Sequence, residues 1–176
     1  TQSDNGPAIQ GGLTYTVPLD DNFSVYAGVW GSNVQFTDSN LELDFLTGVG
    51  YTDGALALDT GLIYYKYPSA DSSLNYDYYE MQANVGYDLN PFYLRAAVNY
   101  TPEMAADSGK AVYLKIAAEY KATEDLKFTL RGGRQYVQYN SKFGLPDYND
   151  WGIGATYKFK DVDLTAEYVA NDIDSV

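Results

Sequence analysis

The chain of 176 residues contains neither histidine nor cysteine. Zinc sites, Ser-His-Asp triads and Cys-His pairs all depend on these side chains, so the sequence excludes them. Disulfide bonds are excluded too, and the lack of cysteine therefore does not indicate a reducing compartment. The carboxylates Glu42 and Asp44 are paired two residues apart, but nothing around them indicates a sugar groove for acid–base chemistry. We expect no enzyme activity, no cofactor and no metal.

Positive charge is scarce, and long apolar runs are missing. The chain has 11 Lys and Arg against 24 Asp and Glu, which gives a net charge of −13. Such a chain would repel the phosphates of nucleic acid, so we expect no nucleic-acid partner. The sequence has no run of about 18 apolar residues, which excludes a membrane-spanning helix.

Tyrosine is abundant, and apolar residues alternate with polar ones. The chain holds 19 tyrosines and 16 glycines. Val112, Leu114 and Ile116, for example, alternate with Tyr113 and Lys115. Successive side chains of a strand point to opposite faces, so such a segment has one apolar and one polar face. This period of two is typical of transmembrane β-barrels.

Ten segments carry the alternation, and most are longer than the five or so residues of an average soluble strand. A tilted membrane strand needs about 9–11 residues, which these segments supply. The sequence therefore predicts one all-β domain over 1–176, an antiparallel up-and-down transmembrane β-barrel. The ten predicted strands are 8–17, 23–36, 41–52, 55–67, 76–89, 92–101, 111–122, 126–139, 149–160 and 162–171.

Short and long connections alternate along the chain. The short ones contain Asp, Asn, Gly or Pro as turn formers. Outer-membrane barrels have short periplasmic turns and longer extracellular loops, so this pattern predicts the bacterial outer membrane. The short set is 18–22, 52–55, 88–91, 122–125 and 160–162, and the other set is 37–40, 68–75, 102–110 and 140–150.

The order of the connections places both chain ends on the side of the long loops. Bacterial single-chain barrels have an even number of strands, and we expect their termini on the periplasmic side. One further strand at each end would restore this arrangement, so we expect twelve strands in the full-length protein. The alternatives are a closed ten-stranded barrel of inverted orientation or a miscounted hairpin. Without further strands, a second copy or a partner chain would have to cover the two open edges.

Aromatic residues on the apolar face lie near the connections at both ends of the strands. Two such girdles are what the two interfaces of a bilayer select. The alternative is that tyrosine serves only as a strand former in a soluble sandwich. The predicted girdle residues are Tyr15, Phe23, Tyr51, Tyr64, Tyr87, Phe92, Tyr100, Tyr120, Trp151, Tyr157 and Phe159.

Charged residues lie on the opposite, inward face, with acids on segments three to five and bases on segments six to nine. Two such arcs would create a field across the lumen that orients dipolar or zwitterionic solutes. The alternative is that the charges meet in salt bridges and plug the lumen. The predicted pore-lining residues are Glu42, Asp44, Asp59, Glu80, Arg95, Lys115, Lys127, Arg131 and Lys158.

Two further features have open interpretations. The inward glycines either leave room for a channel or for Trp30 and Tyr65, or mark bends in the strands. Asp150 and the other loop carboxylates are expected to be scattered and solvated rather than a Ca²⁺ site.

Four stretches resemble a known family. YAGVWGSNV (26–34) is the most specific, and QSDNGPAIQGG (2–12), DTGLIYYKYP (59–68) and YYE (78–80) occur in the expected order. Together they resemble the TorF-type porin family of conserved bacterial proteins. The resemblance implies an outer-membrane β-barrel of Gram-negative bacteria, with an extra strand at each end in full-length members. It supplies no catalytic residues.

We therefore expect an outer-membrane porin, a passive diffusion channel for small polar solutes. Its other partners would be outer-membrane lipid and lipopolysaccharide. The alternative is a non-conducting structural or adhesion barrel that acts through its extracellular loops. A soluble lipocalin-like binder is a third hypothesis.

Overall fold

The structure, a computed structural model, describes residues 9–36, 39–139 and 147–173. It contains ten strands, whose ends differ by at most two residues from the predicted ones. The predicted loops 37–40 and 140–150 and the stretch 2–12 lie partly outside the described residues. The strands are β1 (Gln10–Pro18), β2 (Phe23–Phe36), β3 (Ser39–Asp53), β4 (Leu56–Lys66), β5 (Tyr78–Leu89), β6 (Phe92–Thr101), β7 (Ala111–Lys121), β8 (Leu126–Val137), β9 (Tyr148–Phe159) and β10 (Val162–Asn171).

All ten strands form one antiparallel sheet in chain order, which confirms the predicted up-and-down architecture. Each ladder runs almost without interruption, with one irregularity between Asn33 and Phe36 on β2. Single 3₁₀ turns at Ser72–Leu74 and Ala105–Asp107 lie in two of the long connections. Among the described residues, no helix has the length and apolar character needed to cross a membrane.

One face of the sheet presents apolar side chains to its surroundings. Leu130, Ile153 and Tyr168 lie side by side on β8, β9 and β10, and they are 62%, 60% and 68% exposed. A soluble sheet would cover such a row with a second layer, because exposed apolar area is unfavourable in water. The face suits contact with lipid, in which apolar side chains need no cover.

The other face is polar and concave. Gln82 on β5 donates to the hydroxyl of Tyr26 on β2 at 3.1 Å, with β3 and β4 between them. Tyr148 on β9 interacts electrostatically with Glu80 on β5. In a flat sheet these pairs of strands would be about 14 and 19 Å apart. The sheet therefore curls with its polar side inward, and we call the two sides the concave and the convex face.

Glycines on the concave face make room for tyrosines that lie across the neighbouring strands. A Cβ at Gly61 would lie 2.7 Å from the hydroxyl of Tyr26, and a Cβ at Gly86 would clash with the hydroxyl of Tyr93. Trp30, one of the two aromatic residues for which the inward glycines were predicted to leave room, lies beside Gly12. A Cβ at Gly12 would be 3.1 Å from the Trp30 ring. Much of the space left by these glycines is filled by inward side chains.

Gly132 and Gly133 offer a direct test of this packing. We expect Gly133→Val to lower the free energy of unfolding by about 2 kcal/mol or more, because overpacking displaces Tyr113. A Cβ there would lie 2.6 Å from Oδ2 of Asp150 and closer still to the Tyr113 hydroxyl. Gly132→Val is the control, since its Cβ would meet nothing nearer than the Asp150 carbonyl at 3.7 Å on the convex face. Urea unfolding in detergent, followed by tryptophan fluorescence, measures both variants. Equal losses would contradict the interpretation.

Both edges of the sheet are open in the described part of the chain. There β1 pairs with β2 alone and β10 with β9 alone. Every residue of β1 is exposed. An edge strand carries a row of unpaired N–H and C=O groups, which lipid cannot satisfy. A membrane location therefore requires that something pairs with β1 and β10.

Candidate functional site

The alternation places all nine predicted pore-lining residues on the concave face. Trp30, Asp44 and Tyr65 form one cross-strand row there, in register across β2, β3 and β4. Strands β3 to β5 carry the acids and strands β6 to β8 most of the bases, so the predicted arcs exist as separate regions of one wall. We call these the acidic arc (Glu42, Asp44, Asp59 and Glu80) and the basic arc (Arg95, Lys115, Lys127 and Arg131).

Arg131 is the least exposed of the ion-paired cations in the basic arc, and two carboxylates contact it. Its Nε is 2.6 Å from Oε1 of Glu167, and its Nη1 is 2.8 Å from Oδ1 of Asp150. Gly152 is in register with Arg131 and leaves room for the guanidinium, since a Cβ there would lie 3.0 Å from Nε. Tyr113 donates to the other oxygen of Asp150 at 2.7 Å. The prediction that Asp150 is a solvated loop acid is wrong, because β9 begins at Tyr148 and its pleat turns Asp150 inward.

Three of the other bases on this face form ion pairs with acids on neighbouring or nearby strands. Glu119 accepts from Nη2 of Arg95 at 3.3 Å and from Nζ of Lys127 at 3.1 Å. Lys121, at the short-turn end, pairs with Asp88 at 3.4 Å. Within the described residues, Lys115 and Lys158 take part in no ion pair shorter than 4.0 Å. Most of the positive charge of the basic arc is therefore cancelled locally.

Neutral groups hold the acids of the acidic arc. Glu80 accepts from Asn99 Nδ2 at 2.5 Å and from the Tyr65 hydroxyl at 3.4 Å. The hydroxyl of Tyr67 donates to Glu42, which is 5% exposed. Such donors stabilise a carboxylate without cancelling its charge.

Of the remaining two acids of the acidic arc, Asp59 follows the same pattern and Asp44 does not. Asp59 accepts from Asn84 at 2.9 Å and from the Tyr26 hydroxyl at 3.3 Å. Oδ1 of Asp44 is buried and has no hydrogen-bond partner within the described residues. No ion pair joins the two arcs in the part of the chain that the structure describes.

The long-loop end of the concave face is covered. Residues 68–77 and 102–110, which we call the lid, contact each other there. The backbone N of Ala106 donates to the carbonyl of Asn75 at 2.8 Å, and the Asn75 side chain donates to Asp107 at 3.0 Å. Ser108 is completely buried, and Thr101 below it is 2% exposed. At the short-turn end, concave-face side chains such as Lys158 are exposed.

Asp77 anchors the lid to the sheet. Its carboxylate pairs with Lys66 and accepts from the backbone N of Tyr67 at 2.9 Å. Burial by itself raises the pKa of Asp77, but the contacts with Lys66 and the Tyr67 amide outweigh it and hold the pKa below the ordinary value. The lid could not be predicted from the sequence, because no periodic pattern marks contacts between loops. Turn formers such as Asn75 and Gly109, whose φ angles are +50° and +82°, are local signals of the turns in these segments.

The alternation places all eleven predicted girdle residues on the convex face. Nine of them are at least two-fifths exposed, and Tyr51 and Tyr100 are intermediate. Phe23 packs on Tyr51 with ring centroids 4.8 Å apart, and Phe92 packs on Tyr120 at 5.2 Å. Their position at a membrane interface stays a prediction.

The comparisons with known proteins agree with this fold. A family model described as "Bacterial protein of unknown function (Gcw_chp)" matches residues 1–176. No curated protein matches the chain. A solved porin structure refined at 1.8 Å resolution is similar, with a TM-score of 0.59 and 14% identity over 93% of this chain and 56% of the porin. An OmpF of Salmonella typhi, in complex with daunomycin, has a TM-score of 0.57 and 20% identity over 94% of this chain and 55% of its own. The chain spans little more than half of either porin, and at these identities the similarity concerns the fold.

Proposed function

We propose that this chain, which belongs to the Gcw_chp family of bacterial proteins of unknown function, forms the wall of an outer-membrane porin. The channel conducts small polar solutes by passive diffusion. The observation that carries this proposal is the curled sheet with an exposed apolar convex face and a charged concave face. In the same proposal, the channel is a porin of the TorF type.

The two faces suggest how such a channel works. The convex face contacts lipid, and the aromatic girdles lie at the two interfaces. The concave face replaces part of the hydration of a passing solute, and its charges set the selectivity. Further strands of the full-length protein, or a second chain, pair with β1 and β10 and close the barrel. With one strand added at each edge, the barrel has twelve strands.

The absence of cysteine allows a clean test of the lumen. Ala97 lies on the concave face of β6, and its neighbour Ala96 lies on the convex face. We expect a bulky, charged, water-soluble thiosulfonate to lower the conductance of Ala97→Cys in planar bilayers. The same reagent should leave the conductance of the matched control Ala96→Cys unchanged, because that thiol faces lipid. The full-length protein, folded in detergent, is the starting material.

Two results would count against the porin. One is equal sensitivity of the two cysteine variants to the reagent. The other is the absence of current from protein that is demonstrably folded. That second result would favour a non-conducting structural or adhesion barrel, a candidate that the packed lid over the long-loop end supports.

A further inference from the structure

We propose that the lumen selects small cations, both inorganic ions and organic amines, over anions. The inference rests on the proposed channel and names its substrate class. It arises from how the wall charges are partnered rather than from how many there are. Each observation below concerns the concave face of the described residues.

The basic arc offers little free positive charge to a passing anion. Arg131 is shared between Asp150 and Glu167, and Glu119 is shared between two further cations. These contacts are 2.6–3.3 Å long and lie between neighbouring strands or across one strand. At such distances the fields of the partners largely cancel beyond the first layer of water. Lys115 is the cation of this arc that stays without an ion pair in the described residues.

No ion pair neutralises the acidic arc among the described residues. Hydroxyl and amide donors hold Glu42, Asp59 and Glu80, and none of these donors carries a positive charge. Oδ1 of Asp44 is buried without a hydrogen-bond partner among the described residues, so no donor there offsets its negative charge. A wall built this way attracts cations and raises their local concentration in a confined, low-dielectric space.

Aromatic rings beside the acids extend the preference to organic cations. Tyr65 and Tyr78 stack with centroids 4.5 Å apart, and Tyr65 donates to Glu80. Tyrosine faces attract ammonium groups, and a carboxylate next to the ring strengthens that attraction. A field that orients zwitterions would need comparable free charge on both arcs. The ion pairs made by Arg131 and by Glu119 remove most of the free positive charge from the basic arc.

The ratio of cation to anion permeability tests the proposal. It is obtained from the reversal potential of the full-length protein in planar bilayers under a KCl gradient. We expect a clear preference for K⁺ and a fall of at least about threefold in the ratio for the triple variant E42Q/D44N/E80Q. The matched control is D53N/D125N/D161N, which changes the net charge equally at exposed turns of the short-turn end. Its ratio should stay near that of the unchanged protein.

The single variant Asp44→Asn covers the case in which the triple variant fails to fold, because the Oδ1 atom of Asp44 has no partner to lose. We expect it to lower the ratio in the same direction, and tetramethylammonium in place of K⁺ should show the same order of variants. A current with no preference for cations, or an equal change in the triple variant and its control, would overturn the inference and leave the porin standing. No current from folded protein would overturn the porin itself.

Discussion

Arg131→Met will cost the folded state about 3–5 kcal/mol, whereas Arg95→Met will cost less than about 1 kcal/mol. The Arg131 side chain is 19% exposed and contacts two carboxylates, at 2.6 and 2.8 Å. Removing it leaves Asp150, which is 9% exposed, as an uncompensated charge beside Glu167. It also removes a side chain that ties β8 to β10 across β9. Urea unfolding in detergent, monitored by the two tryptophans, measures the difference.

Arg95 is the matched control for this experiment. It lies on the same face and makes one ion pair, with Glu119 at 3.3 Å, but its side chain is 47% exposed. Lys127 still neutralises Glu119 when Arg95 is replaced. Water screens an exposed pair, so its net contribution to stability is small. If the two methionine variants unfold at the same urea concentration, burial of the Arg131 cluster does not hold the sheet together.

The double variant Arg131→Met with Asp150→Asn separates the two causes of instability. If the loss comes from an unpaired buried carboxylate, neutralising Asp150 should restore a large part of it. If Arg131 acts mainly through the packing of its alkyl chain over Gly152, the second substitution should restore nothing.

The fold could be predicted from the sequence because the two-residue alternation of a strand can be recognised without knowing which strands lie beside it. Each strand reports its own two faces, as Leu114 and Lys115 do on β7. Turn residues such as those of 52–55 mark where the strands end. A meander needs no other information, since each strand pairs with the next one along the chain.

The pairing of the charges could not be predicted in the same way. Whether Arg131 meets an acid depends on the register between β8 and β9, which places it opposite Gly152 and within reach of Asp150. The alternation predicts the face of each residue but not this offset. The acids and bases therefore lie on the strands that the alternation predicts. How much unpaired charge each arc carries depends on contacts between strands, which the sequence does not reveal.

The lid could not be predicted from the sequence for a second reason. Residues 68–77 and 102–110 are 32 positions apart at the contact between Asn75 and Asp107, and neither segment has a repeating pattern. The polar composition of these segments predicts loops and leaves open where they fold. Their position over the concave face follows from anchors such as Asp77.

Shortening the lid will raise the single-channel conductance by about twofold or more, because the lid covers the long-loop end of the proposed pathway. The variant replaces 103–108 with two glycines, which leaves a short hairpin loop between Thr101 and Ala111. The buried Ser108 and its contacts are removed with this segment. Planar bilayers measure the conductance, and a parallel unfolding experiment shows that the sheet is intact.

A disulfide across the lid locks it in place, which is the opposite of shortening it, and reduction of the same disulfide serves as the control. Asn75→Cys with Asp107→Cys joins two side chains that are already in contact, and the chain has no other cysteine to compete. We expect the oxidised double variant to conduct no better than the unchanged protein, even at voltages or pH values that raise the current of the unchanged protein. Reduction of the disulfide should restore the response of the unchanged protein to voltage and pH. If the shortened and the locked lid conduct alike, solutes enter by a route that the lid does not cover, and the selectivity of the acidic arc would then act alone. A difference between them instead makes the Asn75–Asp107 contact a point of control over the proposed channel.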